Sequence, residues 1–326
     1  MLFPPFGWSQ WLRQSLTSGL ARSGRIRVRR FAGPAAYAGS MTPIRIAHLT
    51  DQHVGRITPL AIQREAVAMT NAEHPDLVVI TGDFVCHSQL YLDQLVQLVR
   101  EFQAPVIGVL GNHDHWAGAD EVAAALRRGG VEVLRNDNTV ITIRRQRLQI
   151  VGLDDAYTGH ARIEKAVAGL RRDLPVLALS HIAEEADRLW PRGIPLVLAG
   201  HTHGGQITLA RLNEISVGRI GGHKYVHGLY GTRQARGGAV VTGAVYVGAG
   251  IGASVVPFRL GERGKREITI FEFGRGPGEF EEPDREQAPL PGRAPSLEKM
   301  RRRAERVIRK STRRMLRRKS GRGLRT

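Results

Sequence analysis

The chain has 326 residues, 42% of them hydrophobic, one cysteine and a formal charge of +18. That length and apolar fraction support one large folded domain or two small ones and exclude disorder throughout. The lone Cys86 excludes an internal disulfide, and no run of about 18 apolar residues is present to cross a bilayer as a helix. The charge is segregated. Residues 1–40 carry six arginines and no acid, and residues 301–326 carry thirteen Lys or Arg against Glu305, so these ends, at +6 and +12, hold the entire excess. Attraction to anionic polymers or lipid therefore belongs to the ends and not to the neutral middle.

In chain order, Trp8, Trp11, Leu12, Leu16 and Leu20 fall on one side of a helix ahead of the arginines of 22–30, a pattern suited to an anionic membrane surface. The run Arg29-Arg30-Phe31 followed by small residues weakly matches a twin-arginine export signal. Pro34 breaks its apolar stretch and a strand follows directly, so a cytoplasmic location, peripheral to the inner membrane, is the expectation. Met41 is a second candidate start, which would leave the first forty residues outside the protein. From residue 43 onward, short β-branched runs at 44–49, 77–81, 106–110, 148–151, 176–179 and 196–199 read as buried strands. Stretches at 60–72, 89–102, 120–128 and 162–170 read as the helices between them, and 241–247 and 267–273 as late strands. This alternation predicts an α/β fold with largely parallel pairing, whose ligand sites lie beyond the carboxyl ends of the strands.

Five of those strands run into polar groups. They are followed in turn by Asp51 and His53, by Gly82-Asp83, by Gly111-Asn112-His113-Asp114, by Ser180-His181, and by Gly200-His201-Thr202-His203. Carboxylate, imidazole and amide groups are thus delivered to one edge. Such mixed oxygen and nitrogen donors suit hard or borderline divalent cations, and a strand-end aspartate such as Asp83 can bridge two of them.

In order and spacing these five motifs resemble those of the calcineurin-like metallophosphoesterases, over residues 44–273. The run from His201 to Gln206 and the glycine-rich turn at 248–259 are similar to the bacterial single-domain branch, which includes membrane-associated phosphodiesterases and relatives of lipid A pathway pyrophosphatases. The resemblance implies a four-layer α/β/β/α sandwich with two divalent metal ions, Mn favoured over Fe or Zn. One ion would be held by Asp51, His53, Asp83 and His203, the other by Asp83, Asn112, His181 and His201. His113 would donate a proton to the leaving oxygen or stabilise the developing charge while a metal-bridging hydroxide attacks phosphorus. Two positions depart from the pattern. Cys86 stands where a carboxylate often orients the catalytic histidine, leaving Asp114 or His115 for that task, and Ala249 stands where an arginine often lies.

Plain structural roles are expected for His48, His74, His87 and His160, and a cap or turn for Asp154 and Asp155. His223 and His227 either line a pocket or sit in a loop. Gly204 and Gly205 permit close backbone approach, and Cys86 reads as an inert small residue. The division expected is a basic extension at 1–40, the catalytic domain at 41–275, a Gly/Pro/Glu-rich linker at 276–296 and a basic tail at 297–326. In that tail Leu297, Met300, Ala304, Val307, Ile308 and Met315 form a thin apolar stripe. The function expected is hydrolysis of a phosphodiester or pyrophosphate bond, with a lipid-linked or nucleotide-sugar substrate favoured and an anionic membrane as partner. A nuclease or cyclic-nucleotide phosphodiesterase is the alternative, although tails without interleaved aromatics argue against nucleic acid. A scaffold without catalysis ranks last, because all seven ligand positions hold ligand-competent residues.

Overall fold

The computed structural model describes residues 26–205, 222–234, 243–253, 259, 264–279 and 286–290. One mixed sheet contains β1 (Arg27–Ala32), β2 (Ile44–Leu49), β3 (Leu77–Thr81), β4 (Val106–Val109), β5 (Val131–Leu134) and β12 (Glu267–Phe273), in the order β1-β12-β2-β3-β4-β5. The other contains β6 (Asp137–Ile143), β7 (Gln146–Gly152), β8 (Val176–Leu179), β9 (Leu196–Ala199), β10 (Gly228–Gly231) and β11 (Ala244–Val247), in the order β10-β11-β9-β8-β7-β6. Pairing is parallel except for β12 with β2, β10 with β11, and β6 with β7.

The central strands are mostly apolar because both of their faces are covered, with Arg45 and His48 interrupting β2. Ile44, Ile46, Leu77, Val79 and Phe271 on one sheet meet Leu177, Leu179, Leu196 and Leu198 on the other in a core between the sheets. The alternate residues Ala47, Leu49, Val78, Ile80 and Ile270 turn outward, onto α1 (Leu60–Ala72), α2 (Leu92–Arg100) and, after α3 (Asn112–Ala117), α4 (Ala119–Arg128). Behind the second sheet, Val151, Ala178, Val197 and Val245 pack on α5 (Ile163–Ala166), α6 (Ala186–Leu189) and Trp190. The result is the expected α/β/β/α sandwich. The parallel strands β2, β3, β4, β8 and β9 all end at the same edge of the two sheets.

Four expectations need correction. The segment assigned to a basic extension contains β1, paired residue for residue with β12 from Arg27↔Glu267 to Ala32↔Glu272. Its arginines serve the fold: Arg29 is buried against Glu267, and Arg30 bonds Glu73 at 2.6 Å. The supposed linker is anchored at its end, where Gln287 N donates to Leu229 O at 2.8 Å and Leu290 N to Lys224 O at 2.9 Å, along the edge of β10. The helix expected over 162–170 stops at Ala166, ahead of Gly169 at φ +74°. The one at 89–102 opens with a 3₁₀ turn at Gln89–Tyr91 whose Leu90 N bonds the Ser88 hydroxyl. Both amphipathic stripes expected at the ends, Trp8 to Leu20 and Leu297 to Met315, lie outside the described residues, as do Gln206, Pro257 and residues 241–242. Among the described residues no helix is long and apolar enough to cross a membrane.

Candidate metal centre

Each of the expected site residues sits two to four residues beyond a strand end, and the chain there turns sharply enough to aim side chains inward. Asp51, His53, Asp83, His201 and His203 all hold left-handed backbones, with φ of +51°, +45°, +53°, +76° and +52°. Side-chain-bearing residues rarely adopt that region, and clusters of them mark functional sites. Neighbouring glycines make room for the crowding. A Cβ on Gly200 would lie 1.9 Å from Thr50 Oγ1 and 2.6 Å from Asp51 Oδ2, and one on Gly111 would lie 2.3 Å from Asp83 Oδ1.

Two groups of donor atoms converge. In the first, His53 Nε2 lies 3.0 Å from His203 Nε2 and 3.7 Å from Asp51 Oδ1, and His203 Nε2 lies 3.4 Å from that same oxygen. In the second, His181 Nε2 lies 3.2 Å from both Asn112 Oδ1 and His201 Nδ1. Asp83 joins them, with Oδ2 3.6 Å from His53 Nε2 and 3.4 Å from His181 Nε2. All seven expected positions therefore meet in one buried patch. His113 stands beside it, its backbone N donating to Asp83 Oδ1 at 2.8 Å and its Nε2 3.9 Å from Asp83 Oδ2.

These donors fit divalent cations. An ion with bonds of about 2.1 Å holds its ligands roughly 3.0–3.4 Å apart, close to the separations found in both groups. Asp51 Oδ1 is fully buried and bonded to no donor, a costly arrangement for a carboxylate unless a cation faces it. Burial pushes His53, His201 and His203 well below the ordinary imidazole range, so these rings are neutral and hold lone pairs for ligation. Burial also pushes Asp83 upward, but the surrounding imidazoles, His181 first, pull it well below the usual carboxylate range. It stays an anion. His181 Nδ1 donates to Thr81 O at 2.8 Å, which turns Nε2 inward; burial lowers this ring but Asp83 beside it raises it to about 10, so here it is an imidazolium that must give up its Nε2 proton to ligate.

Sequence reasoning missed several supporting residues. Arg259 Nη2 lies 3.0 Å from His203 Nδ1, while its other donors bond the carbonyls of Ala249 and Gly252. A guanidinium only donates, so here the proton of His203 is on Nε2. Ligation through Nε2 moves that proton to Nδ1 and requires Arg259 to draw back onto its carbonyls. Neither residue expected to orient His113 does so. Asp114 caps its own helix, accepting from Gly111 N and Val85 N, and His115 bonds Asp154 Oδ1 at 2.7 Å. Instead the His113 ring is packed by His87, at 4.0 Å between centroids, and by Trp116, at 4.8 Å. His87, expected in a plain structural role, is thus at the site, and so is His223, 5.3 Å from His201. His227 is not; its Nε2 bonds Glu267 at 2.9 Å. Asp155 accepts from Thr158 N in a turn, as expected. Burial raises the Cys86 thiol to about 11. No local sequence signal marks Arg259, ten residues past Ala249, or His87 and Trp116, which meet only in three dimensions.

A family model described as calcineurin-like phosphoesterase matches residues 44–205. The chain is a calcineurin-like metallophosphoesterase. This metallophosphoesterase is similar to phosphodiesterase YaeI of Escherichia coli (strain K12), 29% identical over 249 residues that cover 73% of this chain and 85% of YaeI. It is likewise 29% identical to the metallophosphoesterase YkuE of Bacillus subtilis (strain 168), over 70% of this chain and 78% of YkuE. Among solved structures, the purple acid phosphatase PPD1 from yellow lupin seeds matches with a TM-score of 0.39 and 11% identity, over 78% of this chain and 48% of the phosphatase. Family membership makes the metallophosphoesterase a hydrolase of phosphate esters, with His/Asp clusters consistent with a two-metal site.

Proposed function

We propose that this metallophosphoesterase hydrolyses phosphodiester or pyrophosphate bonds at a dinuclear centre, one ion held by Asp51, His53, Asp83 and His203 and the other by Asp83, Asn112, His181 and His201. The observation that carries the reading is the shared carboxylate. Asp83 Oδ2 lies within 3.6 Å of one imidazole from each donor group, His53 and His181. Likeness to the phosphodiesterase YaeI supports a diester over a monoester. Bound divalent cations supply Lewis acidity there, withdrawing charge from phosphoryl oxygens and lowering the pKa of water. The mixed donor set accepts Mn²⁺, Fe²⁺ or Zn²⁺, and Mn²⁺ is the first to test.

The protein's own part is positioning and proton transfer. Asp83 stays ionised, and its Oδ1 fixes the backbone of His113. His113, on the first turn of α3, holds its ring beside the shared carboxylate, where imidazole can hand a proton to a departing alkoxide near neutral pH. The test is hydrolysis of bis(p-nitrophenyl) phosphate by chelator-stripped protein before and after Mn²⁺, with Asp83→Asn alongside. Expected are activity that returns with the metal, and a loss of at least a hundredfold in the variant. Failure of the restored protein on diesters, monoesters and pyrophosphates alike would overturn the proposal in favour of a scaffold.

A further inference from the structure

The sheets have a second edge, opposite the metal centre, where the parallel strands begin. From Val176 to His181 the direction of β8 carries the chain roughly 16 Å, at about 3.3 Å per residue. At that far edge a cleft of about 380 Å³ opens between the segment before β2, the start of β7 and the loop ahead of β8. Tyr37, Met41, Leu174 and Pro175 give it apolar surface, and Arg147 and Arg172 line it beside them.

The cleft is tied from three sides. The Tyr37 hydroxyl donates to Val176 O at 3.0 Å and accepts from Val176 N at 2.9 Å, and its ring lies 5.9 Å from that of Phe273. The Gln146 amide pairs with both backbone groups of Thr42, at 2.7 and 3.0 Å, and the Gln149 amide does the same for Arg171, at 2.9 and 2.7 Å. The walls hold their shape without an occupant, so binding does not have to order a loop.

The positive charge there is unmatched. Arg147 and Arg172 are exposed, and among the described residues neither has a carboxylate within ion-pair distance. Asp173, the one acid lining the cleft, gives both oxygens to Arg171, at 3.1 and 2.5 Å, and Arg147 acts on it only through space. The tip of the adjoining β6–β7 hairpin holds Arg144 and Arg145 at φ of +47° and +67°, in a two-residue turn that ordinarily takes Asn-Gly. Arg144 is engaged by Asp76 at 2.8 Å, whereas Arg145 is exposed and has no such partner among the described residues.

We propose that this cleft is a second binding site, separate from the metal centre, for a phosphate-bearing ligand. Arg147 and Arg172 take the phosphate, because a planar guanidinium presents paired donors that match its oxygens. Tyr37, Met41 and Leu174 take the organic group that carries it. The phosphate belongs either to a free ester or to the headgroup of an anionic lipid. Neither arginine takes part in hydrolysis, so the site holds its ligand whether or not the metal centre turns over.

Calorimetry on the full chain loaded with Mn²⁺ tests the site, with phenylphosphonate as a probe that cannot be hydrolysed. Its isotherm should contain a component that Arg147→Gln/Arg172→Gln weakens at least about tenfold, the size of loss expected when charged hydrogen bonds to an anion are removed. Both side chains are exposed, so Tm should stay within about 2 °C in that variant and turnover of bis(p-nitrophenyl) phosphate should be unchanged. Arg127→Gln/Arg128→Gln makes the same change of net charge on α4 and should leave the component as it is. Co-sedimentation with phosphatidylcholine vesicles carrying phosphatidic acid identifies the source of the phosphate. A parallel loss in the Arg147/Arg172 variant assigns a lipid headgroup, unchanged vesicle binding assigns a free ester, and either supports the site. Phenylphosphonate binding that is absent, that survives Arg147→Gln/Arg172→Gln, or that Arg127→Gln/Arg128→Gln weakens equally overturns it, and none of these outcomes bears on diester hydrolysis.

Discussion

At the scale of single residues, the backbone of the site is held in a conformation that the rest of the molecule must sustain. Five left-handed residues cost on the order of 1 kcal/mol each, whereas each fully buried Leu or Ile contributes about 1.5–3 kcal/mol. Two or three core side chains offset the strain, and the core between the sheets contains many more. Glycine would relieve the strain at these positions but would remove the ligand atom. The residues placed by this turn include both aspartates and leave His113 free of the left-handed region, consistent with a ring that must adjust to a leaving group. If His113 donates a proton, His113→Ala should lower kcat on an alkyl-leaving diester by about 10²–10⁴-fold. It should lower kcat on bis(p-nitrophenyl) phosphate, whose phenolate departs without help, by about tenfold or less. Equal losses on the two substrates would remove the acid role and leave His113 a positioning residue.

At the scale of elements, a buried ionic cluster ties the two sheets together behind the site. Glu267, the first residue of β12, accepts from the Tyr246 hydroxyl at 2.7 Å and from Ala249 N at 3.0 Å, meets His227 at 2.9 Å, and lies 3.8 Å from Arg29 of β1. Burial pushes this carboxyl up, but His227 and Arg29 pull it well below its ordinary range. A folded-state pKa below the unfolded value of about 4.3 contributes stability that is present at neutral pH and lost as pH falls through the acid range. His48 is buried and lowered to about 3, so its contribution is also complete above an unfolded value of about 6.5 and fades below it. Wild-type Tm should therefore begin to fall just below pH 6.5 and fall more steeply below about pH 4.5. Glu267→Gln should cost roughly 3–5 kcal/mol at pH 7 by stranding Arg29, and should make the steeper limb shallower while leaving the share of Asp83 and Asp154. A limb as steep in the variant as in the wild type would assign the acid sensitivity elsewhere. This cluster was illegible in the sequence, where Glu267 is one acid at the head of an apolar run and Arg29 one of many arginines. Strands 77–81, 176–179 and 196–199, buried on both faces, were legible to the residue because their runs are almost wholly apolar, and 44–49 because Ile44, Ile46, Ala47 and Leu49 outweigh Arg45 and His48. By contrast β1 and β6 lie at sheet edges with polar side chains and carry no such run. The metal-site motifs were readable because each follows a buried strand within a few residues. The rings packed on His113 were not, because His87 and Trp116 come from two separate segments.

At the scale of the whole molecule, the placement of β1 sets what a chain beginning at Met41 would lose. A chain beginning at Met41 would lack Phe31, which is fully buried and packs on Tyr246 at 5.3 Å and Phe271 at 5.6 Å. Losing such a ring from a core costs about 3–5 kcal/mol, and losing Arg29 from beside Glu267 adds a comparable penalty for an uncompensated buried charge. The edge of β12 would also be bared along its pairing with β1, a row of open backbone groups that invites association. Against a total stability of about 5–15 kcal/mol for an ordinary domain, these losses consume most of the margin. The damage also reaches the metal centre, since Glu267 holds Ala249 N and the adjoining Gly250 packs where a Cβ would lie 2.7 Å from Asp51 Cβ. The 41–326 chain should accordingly be recovered largely insoluble, or with Tm lowered by more than about 10 °C and weakened Mn²⁺ binding by calorimetry, while 26–326 retains both. Equal Tm and metal affinity for the two chains would mean that β1 is dispensable and that the Glu267 cluster stabilises the fold without its arginine.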